Sequence, residues 1–186
     1  MADEWYLGEI SGTWTQQVRT FEDTRGRFIE TYRTTNIPFC NVRFKQDSAS
    51  FSTSRVLRGL HAQEKQWQLA TLIAGEVLYF SLDLNPKSTT YRKVARVPLS
   101  TKSTNQILGR PGIAHGFYVL SDWAVIHYKS SVFHGVTKEY GINMSNYVSD
   151  FGITEFTQSP KDQSAPSLEM LETQLEFQKF QRSLNK

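Results

Sequence analysis

Histidines and their neighbouring cations are the residues of this sequence best suited to chemistry, and one of them sits in VLRGLHAQ, residues 56–63. His61 follows Arg58 by three residues and is flanked by polar Gln63, a set that an apolar core would not choose. Two readings are open at this point. His61 is a packed or surface imidazole, or it is a base beside a cation that holds an anionic substrate. His115 follows the Pro-Gly bend of RPGIAHGF, where a side chain can be aimed into the mouth of a barrel, although a histidine at a turn is often plain surface. His127, in an alternating stretch, and His134, in SSVFHG, are uninformative alone.

Several chemistries are excluded by pattern. A metal-binding β-barrel wants H-x-H, but the position two after His61 is Gln63, and Cys40 is the sole cysteine, so thiolate ligation has no partner. No metal is expected. There is no G-x-S-x-G elbow, and GRPG has neither the lysine nor the length of a phosphate-binding loop. Histidine, carboxylate and arginine remain. That set suits proton abstraction next to a carbonyl, with a neutral imidazole as base, an aspartate holding its tautomer, and donors holding the developing enolate.

The elements that must position these residues are strands. WQLATLIAG and EVLYFSLDL are β-rich runs separated by Gly75; Val77, Tyr79, Ser81 and Asp83 share one face of the second, and Leu78, Phe80, Leu82 and Leu84 the other. RKVARVPLS is a further strand, in which Pro98 marks an edge or an end, and SDWAVIHYKSS alternates again. Strands at this spacing without intervening helices predict an all-β sandwich or jelly roll with its core at about 45–135. A stripe of Leu168, Leu171, Leu175, Phe177, Phe180 and Leu184 predicts one C-terminal helix over about 166–184.

The 186 residues, 39% of them hydrophobic, suit a single domain. One cysteine and an opening MADEWYLGEISG without a basic or apolar region predict a reducing, cytoplasmic setting with no signal peptide, and no run reaches the roughly 18 apolar residues of a membrane span. The net charge of +3 is scattered, so no nucleic-acid footprint is expected; a few cations in one pocket suit a phosphorylated small molecule.

Five strings in one order, FEDTRGRFIE, VLRGLHAQ, GEVLYFSLDLNPKSTTYRKV, GIAHGFYVLSD and SPKDQSAP, span residues 21–166. Together they resemble the dTDP-4-dehydrorhamnose 3,5-epimerase family. The resemblance implies a cupin-type jelly-roll homodimer without metal or cofactor. It also implies epimerisation of a nucleotide-diphosphate sugar, a 4-keto-6-deoxyhexose, through an enolate. It makes His61 the base and Asp162 its partner, with Asp83 facing the same cavity. Arg58 and Arg25 match positions that hold the diphosphate, and His115 lines the pocket. Phe28 and Glu30 match positions that meet the nucleotide base from the neighbouring subunit, and Gln46 and Lys129 are further substrate-binding positions.

Two departures from the family pattern stand out. Gln68 occupies the place of an active-site lysine and can donate a hydrogen bond but carries no charge. The family's tyrosine acid corresponds to Phe133 or His134, so the expectation is inversion at one centre, C3 before C5, with His134 as candidate acid. Two further functions are open: a non-catalytic cupin that binds a sugar nucleotide, and a 3,4-ketoisomerase.

Overall fold

Alternating side chains in residues 76–83 form a strand with two buried faces, and the rest of the fold is arranged to cover both. The structure is a computed structural model that describes residues 4–34, 37 and 41–184; Cys40 lies outside them. The strands are β1 (Tyr6–Leu7), β2 (Thr13–Gln16), β3 (Thr20–Asp23), β4 (Gly26–Ile29), β5 (Gln46–Thr53), β6 (Leu57–Gln63), β7 (Gln68–Ala74), β8 (Glu76–Asp83), β9 (Val94–Ser100), β10 (Gln106–Gly109), β11 (Ile113–Val119), β12 (Trp123–Ser130) and β13 (Glu139–Gly141). Four short helices follow: α1 (Ser145–Ser149), α2 (Pro160–Gln163), α3 (Leu168–Glu172) and α4 (Leu175–Ser183).

Two antiparallel sheets face each other as a cupin-type jelly roll. One has the order β1-β2-β10-β7-β12-β5 and the other β13-β6-β11-β8-β9, while β3 and β4 pair as a separate hairpin. Between the sheets lie Leu72, Val77, Tyr79, Leu99, Ile107, Phe117 and Ile126. The outer face of the five-stranded sheet is apolar too: Leu57, Leu60, Phe80 and Leu82 pack under Ile142, Met144, Leu168, Leu171, Phe177 and Phe180 of the C-terminal segment. This is why β8 reads apolar on its outward face. Strand β9, with Pro98, is the edge strand that its proline predicts.

The C-terminal helix departs from its pattern. The stripe over 166–184 is two helices, because Gln174 is extended and turns α4 away from α3. The turn sets Phe177 and Phe180 against Tyr140 of β13, with ring centroids 5.1 and 4.9 Å away, and leaves Leu175 exposed. Strand β5 escaped the sequence reading because its polarity is reversed. Gln46, Ser48 and Ser50 face cavities, while Phe51 faces outward and is exposed. No described helix is long and apolar enough to cross a membrane.

Candidate active site

Strand β6 carries His61 on its inner face, and the antiparallel pairing lines up Gly141, His61, His115 and Ser81 in one row across β13, β6, β11 and β8. Strands β6 and β11 come unusually close here. Gly59 has φ +91°, and a Cβ on it would sit 2.5 Å from the His115 carbonyl oxygen, so only glycine fits. Helix α2 supplies the partner for His61. Ser159 caps it by accepting from the Asp162 amide at 3.1 Å, and Pro160 starts it, so the S-P-x-D string is a helix start that fixes Asp162.

The result is a contact of 2.6 Å between His61 Nε2 and Asp162 Oδ1, with the carboxylate 6% exposed. Burial pushes the Asp162 carboxyl up, but hydrogen bonds from His61, Ser159 and the Gly59 amide, with the attraction of His61, leave it below its ordinary value. An ionised Asp162 fixes the tautomer with the proton on Nε2, so Nδ1 is the basic atom of His61.

The facing sheet supplies the opposite wall. Tyr128 of β12, Gln68 of β7 and Ser50 of β5 line the same cavity of about 280 Å³ as His61, Arg58, His115, Lys161 and Asp162. The Tyr128 hydroxyl is 3.3 Å from Ser50 Oγ; burial pushes it up to about 12 against the opposing effects of Ser50 and Arg58, so it keeps its proton at neutral pH. Arg58 Nε donates to Ser52 Oγ at 3.0 Å, leaving the rest of the guanidinium for an anion. A second cavity of about 350 Å³ shares His61, Gln68 and Tyr128 with the first and is walled by Gln46, Gln66, Ser130, His134 and Glu139. The two together form one cleft.

His115 is buried and neutral. Burial lowers it to about 3, and its Nδ1 has no hydrogen-bond partner among the described residues; nor has the Oγ of Ser81 beside it. Its ring lies where a Cβ on residue 109 would be, 2.2 Å away, so Gly109 makes room for it. An uncharged imidazole there can exchange hydrogen bonds with a sugar but adds no positive charge. Among the described residues no three His, Cys, Asp or Glu side chains group as a metal ion would require.

A carboxylate-paired histidine on one sheet, a protonated phenol on the other and an arginine beside them share one cavity. The family model for dTDP-4-dehydrorhamnose 3,5-epimerase matches residues 8–170. The chain belongs to this family. It is a sugar-nucleotide epimerase, an isomerase. It is 33% identical over 172 residues to the dTDP-4-dehydrorhamnose 3,5-epimerase of Escherichia coli (strain K12), covering 88% of this chain and 93% of the relative. It is 36% identical over 144 residues to that of Shigella flexneri, covering 74% and 80%. Among solved structures, it resembles the dTDP-6-deoxy-D-glucose-3,5-epimerase of Legionella pneumophila in complex with dTDP-4-keto-L-rhamnose, with TM-score 0.80, 30% identity and coverage of 94% and 96%.

Within this epimerase, the residues picked from sequence separate into three groups. His61, Asp162, Arg58, Gln68 and His115 meet in the first cavity, and Gln46 and His134 wall the second. Arg25 and Phe28 stand on the β3–β4 hairpin, where Phe28 packs on Phe21 with ring centroids 6.3 Å apart. Glu30 follows the hairpin and pairs with Arg33 at 2.6 Å; none of these three lines the cleft of its own chain.

Three expectations need correction. Asp83 is fully buried but holds a turn, accepting from the Asn85 amide at 2.9 Å and the Thr90 hydroxyl at 2.6 Å, rather than facing the cavity. Lys129 lies on the outer face of β12, since Tyr128 and Ser130 point inward; it bonds both Asp47 oxygens at 2.9 Å and sits 4.8 Å from the Tyr32 ring. The phenol is not lost either. Tyr128, five residues before Phe133, lines both cavities, whereas Phe133 is exposed and His134, at the wall of the second cavity only, has 73% of its side chain in solvent. The inward register of Tyr128, two residues from Ser130 and Ile126, was the available signal.

Proposed function

We propose that the cleft takes a dTDP-linked 4-keto-6-deoxyhexose and inverts carbons next to its C4 carbonyl. The observation that carries this reading is the placement of His61 and Tyr128 on facing sheets with one cavity between them. His61 Nδ1 takes the proton from C3 or C5, and Asp162 stabilises the imidazolium that forms. The enolate is then reprotonated from the other side by the Tyr128 hydroxyl. Arg58 at the cleft binds the diphosphate.

The single-centre expectation rests on a missing tyrosine, and Tyr128 removes that ground. Both C3 and C5 are within the proposed reaction, C3 being the centre that solvent can also serve if Tyr128 is dedicated to C5. The protein works as one cytoplasmic domain and as a homodimer, in which the hairpin with Arg25, Phe28 and then Glu30 completes the neighbour's site. The support is that Phe21 and Phe28 are 53% and 67% exposed and lie off their own cleft.

The test is incubation with dTDP-4-keto-6-deoxyglucose in deuterated water, followed by NMR. Deuterium at C3 or C5 with inverted configuration is expected. Nucleotide binding without exchange would make the chain a non-catalytic cupin, and a 3-keto product would make it a ketoisomerase.

A further inference from the structure

On the wall that faces His61, two glutamines are joined side chain to side chain. The turn after β6 is closed by the Gln66 amide donating to the Gln63 carbonyl at 3.2 Å, which returns Gln66 to the start of β7. There Gln66 Nε2 donates to Gln68 Oε1 at 3.1 Å. Gln68 lines both halves of the cleft together with His61 and Tyr128, while Gln66 lines only the second half. A primary amide offers one acceptor oxygen and two donor hydrogens. With the oxygen engaged by Gln66, the end of Gln68 left for a ligand is its N–H.

Resting on the epimerase reading, we infer that Gln66 is a positioning residue that turns the Gln68 amide so that its N–H meets the sugar's carbonyl oxygen, giving the enolate a charge-neutral donor. When His61 Nδ1 takes the proton, the C–H pair becomes the enolate double bond and negative charge gathers on the former carbonyl oxygen. An amide presented by its oxygen would repel that charge, whereas one presented by N–H stabilises it. Orientation therefore matters here more than it would for a cation. Because a neutral amide does not titrate, this wall keeps its donor at alkaline pH.

Deuterium wash-in from deuterated water into dTDP-4-keto-6-deoxyglucose reads the step directly. Gln66→Glu cannot donate, so Gln68 reverses, gives its N–H to the new carboxylate and turns its oxygen to the sugar. The expected result is a fall in wash-in kcat of about 10²-fold, with KM nearly unchanged. Lysine donates in any rotation, so adding Gln66→Glu to Gln68→Lys leaves wash-in at the level of Gln68→Lys alone. Wild-type kcat in Gln66→Glu, or an equal loss in both backgrounds, overturns the inference while the epimerase reading stands. A wild-type protein that exchanges no deuterium overturns both.

Discussion

His61 and His115 pair across β6 and β11, but only His61 has a carboxylate against it, Asp162 at 2.6 Å. One sheet thus presents two imidazoles of different character. His61 can accept a proton and have the charge balanced, whereas buried His115 stays neutral down to about pH 3.

The dyad predicts that Asp162→Asn keeps the shape of the site but loses the tautomer that leaves Nδ1 basic. Wash-in kcat should fall by about 10²–10⁴-fold while KM for the nucleotide sugar changes little. Steady-state kinetics of the variant provide the check, and a loss confined to KM would contradict the assignment.

Asp83 and Lys129 should behave as structural residues. Asp83→Ala leaves the buried Asn85 amide without its acceptor, at a cost of about 1–3 kcal/mol visible as a lower urea midpoint, while the half-buried Thr90 hydroxyl keeps Ser88 Oγ at 3.2 Å. Lys129→Met should leave kcat close to wild type, since Lys129 bonds Asp47 on the outer face of β12.

The jelly roll was legible because β8 and β12 alternate and β7 and β9 are further β-rich runs, with turn signals and no helices between them. The pair His61 and Asp162 was legible only through the resemblance: the strand beside the glycine approach and the capped helix start are local devices, but the two residues lie 101 positions apart and neither string says that they meet. Asp83 and Lys129 failed for a common reason. Their strands are correct, but strand membership does not say whether a polar residue at a strand end bonds its own turn, or which face meets the cavity. Tyr128 was passed over because a tyrosine among apolar residues reads as core, and β5 because its polar side is the inner one.

Stability against acid should carry the signature of His115. Its folded value, about 3, lies below the ordinary 6.5, so below pH 6.5 the unfolded chain binds a proton that the folded chain refuses. Stability is complete above pH 6.5 and is lost as pH falls, by about 1.4 kcal/mol per unit and so about 2 kcal/mol by pH 5. Asp162, held below its ordinary carboxylate value, loses its contribution only in more acidic solution. His127, lowered first by burial, adds in the same direction and is unchanged in a His115→Asn protein. Urea unfolding at pH 7 and pH 5 should show the extra loss in wild type and its removal in His115→Asn. Equal pH slopes in the two would contradict the neutral, buried assignment.

The central claim is that base and acid act from facing sheets, His61 from one and Tyr128 from the other. The most direct measurement is NMR of the product formed in deuterated water by wild type, His61→Ala and Tyr128→Phe, scoring deuterium incorporation and configuration at C3 and C5 separately. Wild type should show both deuterium and inversion, and His61→Ala neither. Tyr128→Phe should keep incorporating deuterium but lose inversion at one or both centres by about 10²-fold, because abstraction survives and delivery from the opposite face does not. Inversion by Tyr128→Phe at the wild-type rate, or exchange persisting in His61→Ala, would contradict the account.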